Sequence, residues 1–148
     1  MAAVETPVGT LWLGGDEKAL HTVSFERMAG VDCPEPVAGA AREQLRAYFA
    51  GELERFNLPL APRGTRFQRD VWDTVAKIPY GATATYSEIA AAVGRPSACR
   101  AVGAANGRNP LPIVVPCHRV VGSAGALTGY GGGLGRKRAL LDLEAPGG

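Results

Sequence analysis

The chain has 148 residues, 46% of them hydrophobic, and a formal net charge of +2, which is enough apolar material for one good core or two small ones sharing an interface. No apolar run approaches the roughly 18 residues of a membrane-spanning helix and the N-terminus has no basic-then-apolar leader, so membrane classes are set aside and a cytoplasmic location is expected. The three cysteines, Cys33, Cys99 and Cys117, are widely spaced and His21 and His118 are the only histidines, which argues against a disulfide framework and against a structural zinc site.

In chain order, Gly9 to Leu13 and Ala19 to Phe25 read as strands joined at Gly14-Gly15-Asp16, a hairpin. Val37, Ala41, Leu45 and Tyr48 recur at helical spacing and Gly51 follows as a stop, which predicts an amphipathic helix over about residues 36–50 packing on that hairpin. Leu58-Pro59-Leu60-Ala61-Pro62-Arg63-Gly64 interrupts both helix and sheet and is the expected boundary between domains at 1–62 and 63–148. Beyond it, Thr65-Arg66-Phe67-Gln68 is a capping-box pattern opening a helix with Phe67, Val71, Trp72 and Val75 on one face, ended by Pro79-Tyr80-Gly81. A second capping box, Thr85-Tyr86-Ser87-Glu88, starts a short helix stopped by Gly94, and Pro96-Ser97 begin another. Two short helices joined by Gly94-Arg95-Pro96-Ser97 fit a helix-turn-helix, and an ordinary helical hairpin fits as well.

The second of those helices, Ala98 to Asn106, is almost entirely small residues, with Arg100 and Asn106 its only side chains suited to bidentate base reading. Sequence-specific repression is therefore not expected. Small side chains would let the helix approach a groove closely while phosphates supply affinity for any sequence; burial against neighbouring helices accounts for the alanines equally well. The charge distribution bears on the choice. Residues 1–62 carry a net −4 and residues 63–148 a net +6, an asymmetry that suits a polyanion on the C-terminal half and is also compatible with ordinary solvated charge.

Cys117 lies at a break in the apolar, strand-like run from Ile113 to Val121, with His118 next to it. Only the thiolate attacks, and a free cysteine with a pKa of about 8.5 is mostly protonated at neutral pH, so a base is required and His118 is the candidate. Pro116 stiffens the chain just before the thiol. Alone, the pair also fits a buried cysteine beside a buried histidine.

Arg100-Ala-Val-Gly103, Asn109-Pro110, Pro116-Cys-His-Arg-Val120, Gly129-Tyr130 with Gly132-Gly133, and Leu140-Leu-x-x-Glu144 together resemble the O6-alkylguanine-DNA alkyltransferases, also called methylated-DNA-protein-cysteine methyltransferases. The resemblance covers about Thr65 to Glu144, and Tyr48-Phe-x-Gly51 and Phe56-x-Leu-Pro59 fit the family's N-terminal domain. It implies an α/β (α+β) fold: a small ribonuclease H-like sheet-plus-helix domain, then a winged-helix-like helix-turn-helix domain carrying the site. It implies that Cys117 accepts the alkyl group, that His118 is a base acting through a bound water, and that Glu144 orients the imidazole. Tyr86 would assist guanine departure at a ring nitrogen, and Arg100 would fill the space of the extruded nucleotide, with Ala101, Asn106 and Ser123 as further DNA contacts. Asn109 would brace the turn between the helices and the cysteine loop, the carbonyls of Cys117 and Val120 would accept from the guanine amino group, and Tyr130, Gly131 and Gly132 would wall the pocket.

Some family members have serine at the position of Gly131, so this resemblance carries a departure, from which a roomier pocket is expected. The implied partner is double-stranded DNA containing O6-alkylguanine, with O4-alkylthymine an open alternative, and the implied agent is a monomer without metal or cofactor. The lesion's alkyl carbon lies inside the base stack, so the nucleotide must be rotated out at a cost of a few kcal/mol. The product is a thioether, which has no carbonyl for water to attack, so one reaction per protein is expected. A cysteine hydrolase and a non-enzymatic lesion sensor are the alternatives from other classes.

Overall fold

The computed structural model describes residues 1–146 and divides into two compact units, Met1–Arg63 and a second beginning at Gly64. In the first, β1 (Ala2–Thr6), β2 (Gly9–Gly15) and β3 (Leu20–Ser24) form an antiparallel sheet in that order. The hairpin expected from the sequence is β2–β3, with Leu13 opposite Val23 and a bulge between Gly14 and Gly15. Its tip is held by Asp16, whose Oδ1 accepts from the backbone N–H groups of Lys18 at 2.8 Å and Ala19 at 2.9 Å, the local turn bonding that suits aspartate to this position. Strand β1 was not legible in the sequence. It is fixed by its ladder to β2, with Val4 opposite Leu11.

Helix α1 (Val37–Phe49) buries Val37, Ala38, Ala41, Leu45 and Tyr48, which contains every position of the predicted apolar face, against Val4, Leu11, Leu13, Leu20 and Val23 of the sheet side of this unit. Each buried leucine or valine among them contributes about 1.5–3 kcal/mol, and each alanine methyl about 0.8 kcal/mol. Leu45, fully enclosed, has no way to relax around a deletion, so Leu45→Ala is expected to lower stability by about 2–5 kcal/mol in a urea titration.

The second unit starts with α2 (Arg66–Val75) and α3 (Tyr86–Ala92), and both predicted capping boxes form, Thr65 with Gln68 and Thr85 with Glu88. Helix α4 (Cys99–Gly107) follows the Gly94 turn, starting two residues later than Pro96-Ser97 suggests. Trp72 of α2 is buried and donates from its indole Nε1 to the Ala105 carbonyl at 2.8 Å, which ties α2 to α4. The apolar run 113–121 is not a continuous strand. Pro112 and Val115 bridge, Ile113 adopts φ +75°, Cys117–Arg119 form a tight 3-10 turn, and only Val120–Val121 are extended. These two residues, β5, pair in parallel with β4 (Ala84–Thr85). A positive φ at a β-branched residue is costly and needs support from its surroundings. Ile113 has it, since it lies in the core. The unit closes with α5 (Leu134–Glu144). Among the described residues no helix is long and apolar enough to cross a membrane.

Candidate active site

Cys117 opens the tight turn, 5% exposed, with its neighbours Val115, His118, Arg119 and Val120 also buried. The turn is held from two sides. Its own amide donates to the Val115 carbonyl at 2.7 Å and the Arg119 amide to the Pro116 carbonyl at 2.9 Å. From the preceding loop, Asn109 donates through Nδ2 to the Val115 carbonyl at 2.8 Å while its Oδ1 accepts from the Leu111 amide at 3.0 Å. Asn109 thus spans the turn between α4 and the cysteine.

Burial pushes the Cys117 thiol up to about 11, against the opposing pull of an Asn109 hydrogen bond and the Lys137 charge. At pH 7 such a thiol is ionised in about one molecule in ten thousand. The resting site therefore stores a protonated sulfur and needs a base. His118, fully buried, places Nε2 2.8 Å from Glu144 Oε2. A carboxylate only accepts, so Nε2 carries the proton and Nδ1 is left as the ring's acceptor. Nδ1 has no hydrogen-bond partner among the described residues. Burial lowers the proton affinity of His118, Glu144 opposes that, and the charges of Arg119 and Lys137 add to it, so the neutral base is the stable form at pH 7.

Glu144 is in turn gripped by Arg119, Nε to Oε1 at 2.8 Å and Nη2 to Oε2 at 2.9 Å. Lys137, fully buried on α5, donates from Nζ to the Val120 carbonyl at 2.6 Å and to the Thr128 carbonyl at 2.7 Å. Tyr86, half-buried at the start of α3, accepts at its hydroxyl from Thr128 Oγ1 at 3.1 Å, which leaves its own proton to donate. A Cβ on Gly103 would come 3.8 Å from the Tyr86 ring, so the absence of a side chain on α4 keeps that ring loosely covered. Burial raises the pKa of Tyr130, with the Cys117 charge the next cause.

Against this geometry the two halves of the chain match known families. Residues 66–146 match the 6-O-methylguanine DNA methyltransferase DNA-binding domain and residues 1–62 its ribonuclease-like domain. The chain belongs to the 6-O-methylguanine DNA methyltransferase family. It is 50% identical over 150 residues to the methylated-DNA–protein-cysteine methyltransferase of Methanosarcina acetivorans, covering 97% of this chain and 96% of that one. It is 52% identical over 148 residues to the enzyme of the same name from Mycolicibacterium paratuberculosis, covering 95% and 89%. The crystal structure of Mycobacterium tuberculosis O6-methylguanine methyltransferase superposes with a TM-score of 0.84 at 46% identity, covering 99% of this chain and 94% of that one. The structure of Mycobacterium tuberculosis OGT in complex with DNA gives 0.86 at 48% identity, covering 97% and 93%. The two-domain α/β architecture of the family is thus the architecture of this member.

Within this family member, Asn109 bonds the Val115 carbonyl just before Cys117, His118 bonds Glu144, and Lys137 bonds the carbonyls of Val120 and of Thr128, whose hydroxyl bonds Tyr86. Arg100 and Ala101 are exposed on α4, together with Ala104, Gly107 and Arg108, while Val102, Ala105 and Asn106 are buried. The small residues of α4 therefore include a solvent-facing stripe flanked by arginines, and burial does not explain them all. Ser123 is exposed in a turn, Gly131 is exposed, and Gly132 accepts from Arg136 Nη1 at 3.2 Å.

Two expectations need correction. Asn106 is 4% exposed and donates from Nδ2 to the Cys117 carbonyl at 3.2 Å; it faces the cysteine turn and is not placed to touch DNA. That carbonyl also takes the Val120 amide, so both its lone pairs are engaged and it is not free for a guanine amino group. The Val120 carbonyl already holds Lys137 and has one lone pair left.

The residues that sequence reasoning missed are Arg119 and Lys137. Lys137 sits in Arg136-Lys137-Arg138 and reads as a solvated triplet, yet Lys137, Leu140 and Glu144 fall three and seven positions apart, on one helical face, and all three are buried. That shared face was the available signal.

Proposed function

We propose that this protein repairs DNA by drawing O6-alkylguanine out of the duplex and transferring the alkyl group to Cys117, once per molecule. The observation that carries the reading is the relay at the buried thiol: a sulfur too basic to ionise alone, beside a neutral histidine whose protonated nitrogen is anchored 2.8 Å from Glu144 and whose other nitrogen is available. His118 Nδ1 takes the thiol proton through a bridging water. The thiolate attacks the alkyl carbon in line, the carbon–O6 bond breaks, and its electron pair goes to the purine. Tyr86 supplies a hydrogen bond or proton to a ring nitrogen of the departing guanine. Lys137 acts as the counter-charge of the thiolate, and Glu144 holds the imidazolium that forms.

The exposed face of α4 supports the DNA side of the reading. Ala101, Ala104 and Gly107 leave the helix backbone open to a groove, Arg100 enters the space of the extruded nucleotide, and Ser123 contacts the backbone. Val120, Tyr130, Gly131 and Gly132 line the base pocket and Asn109 couples it to α4. The first domain ends at Arg63 and the second begins at Gly64, and the protein works as a monomer on DNA in the cytoplasm. A hydrolase built on the same three residues would turn over. The deciding experiment mixes protein with excess duplex oligonucleotide bearing O6-methylguanine and follows intact mass and repaired product together. One added methyl per chain, with product stopping at one equivalent, is expected; continued accumulation refutes the transfer.

A Cβ at Gly131 would have the Gly107 carbonyl at 4.0 Å as its nearest neighbour, so the glycine leaves space in the pocket wall. Transfer from O6-benzylguanine is accordingly expected within about tenfold of the O6-methyl rate. Gly131→Ser should lower the benzyl rate selectively, as single-turnover rates on the two substrates would register; one added group in a pocket is worth about 1–3 kcal/mol.

A further inference from the structure

Arg119 is buried, and its guanidinium spends three N–H directions on two separate segments: two on Glu144 at 2.8 and 2.9 Å, and Nη1 on the Ile78 carbonyl at 2.7 Å. It also lies 5.7 Å from the centre of the Tyr80 ring, whose hydroxyl donates to the Leu143 carbonyl at 3.3 Å. Glu144 is the last residue of α5, where the negative end of the helix dipole disfavours a carboxylate. Something must hold it there. Arg119 does so bidentately, and because Oε2 is shared between Arg119 Nη2 and His118 Nε2, the clamp also fixes which oxygen the imidazole sees.

We infer that Arg119 is a positioning residue for the alkyl transfer, locking Glu144 on His118 Nε2 so that Nδ1 stays the acceptor facing the reaction. This rests on the alkyl-transfer reading of Cys117. A guanidinium is suited to the task because its planar fork matches a carboxylate edge-on; an ammonium at the same place keeps the charge and loses the geometry. The charged and titratable groups facing His118 are Glu144 and Lys137 from α5, and Arg119 and Cys117 from its own turn. Burial lowers the proton affinity of His118 most, with Arg119 and Lys137 acting in the same direction. Loss of the Arg119 charge therefore makes the imidazole easier to protonate. As pH falls the base is then lost earlier, and the acid limb of the rate moves to higher pH.

The test measures single-turnover transfer against pH in wild type, Arg119→Met and Arg119→Lys, with nitrogen-15 spectra of His118 reporting its tautomer. Both variants are expected to transfer about tenfold to hundredfold more slowly, by analogy with the loss of carboxylates that orient metal-bound histidines. The acid limb should move up in Arg119→Met and stay in place in Arg119→Lys, and a form protonated on Nδ1 should appear in both. A wild-type rate in either variant overturns the inference, as does a slower rate with the wild-type acid limb and tautomer in both. Should Arg119→Met not fold, the tautomer in Arg119→Lys decides alone. Failure of the underlying reading looks different: wild-type protein then gains no alkyl group at any pH.

Discussion

Cys117→Ser is expected to abolish alkyl transfer while leaving the fold and lesion binding intact. The substitution changes one atom at a position 5% exposed, so packing costs little. Chemistry costs far more. Burial pushes the thiol up to about 11 in this site, and an alcohol starts several units higher. Each unit removes a factor of ten in nucleophile at fixed pH, and an alkoxide in a buried pocket carries the same desolvation burden on top. Intact mass should show no added alkyl group over times when wild type is fully converted. A gel-shift titration on methylated duplex should give a Kd within a few-fold of wild type, because Arg100, Ala101 and the rest of the exposed α4 stripe are untouched. Measurable alkylation of the serine variant would mean that the acceptor lies elsewhere.

What could be read in advance divides along the range of the interactions involved. The face of α1 and the two capping boxes depend on residues three or four positions apart, so Leu45, Thr65 and Thr85 announced themselves. Strand β1 depends on its partner: Ala2-Ala3-Val4-Glu5-Thr6 contributes one fully buried side chain, and its identity as a strand comes from the ladder with β2. The run from Ile113 to Val121 looked extended because it is uniformly apolar. It is apolar because all of it is buried, and the positive φ at Ile113 and the turn at Cys117 leave no trace in a hydrophobicity pattern.

The same division holds inside the site. Cys117, His118 and Glu144 were legible through motifs, whereas Arg119 and Lys137 are defined by partners 25 and 17 residues away in sequence. Only the helical phase that Lys137 shares with Leu140 and Glu144 marks it off from solvated basic residues, and nothing local does so for Arg119. Asn106 fell on the wrong side of α4 for a related reason. Its residue type suits adenine recognition, but helical phase places it beside Val102 and Ala105 in the buried face, where its amide serves the backbone of the nucleophile.

Lys137→Met tests whether the second buried cation serves chemistry or packing. Among the described residues no carboxylate pairs with Lys137; its bonds go to two carbonyls, while burial lowers its proton affinity and the Cys117 charge supports its cation. A buried cation in this position is costly to the fold, and replacing it with an apolar chain of similar length relieves that cost while leaving two carbonyls short of a donor. These effects oppose each other, and the melting stability should change by no more than about 2 kcal/mol in either direction. Activity has no such compensation. A unit charge at an effective dielectric of about 20 is worth about 4 kcal/mol at about 4 Å and less with distance, so the thiol should rise further and single-turnover transfer at neutral pH should fall at least about tenfold. The sign with pH follows: well below pH 11 the thiolate of both proteins rises about tenfold per unit, so the deficit is constant through the neutral range and shrinks only as pH approaches the wild-type thiol's value of about 11, the opposite limb from the one Arg119 controls. Lys137→Arg keeps a cation and should recover part of the rate. A variant that melts like wild type and transfers like wild type across the pH range would show that Lys137 only joins Val120 to Thr128, and that the thiolate is stabilised by Asn109 and the turn amides alone.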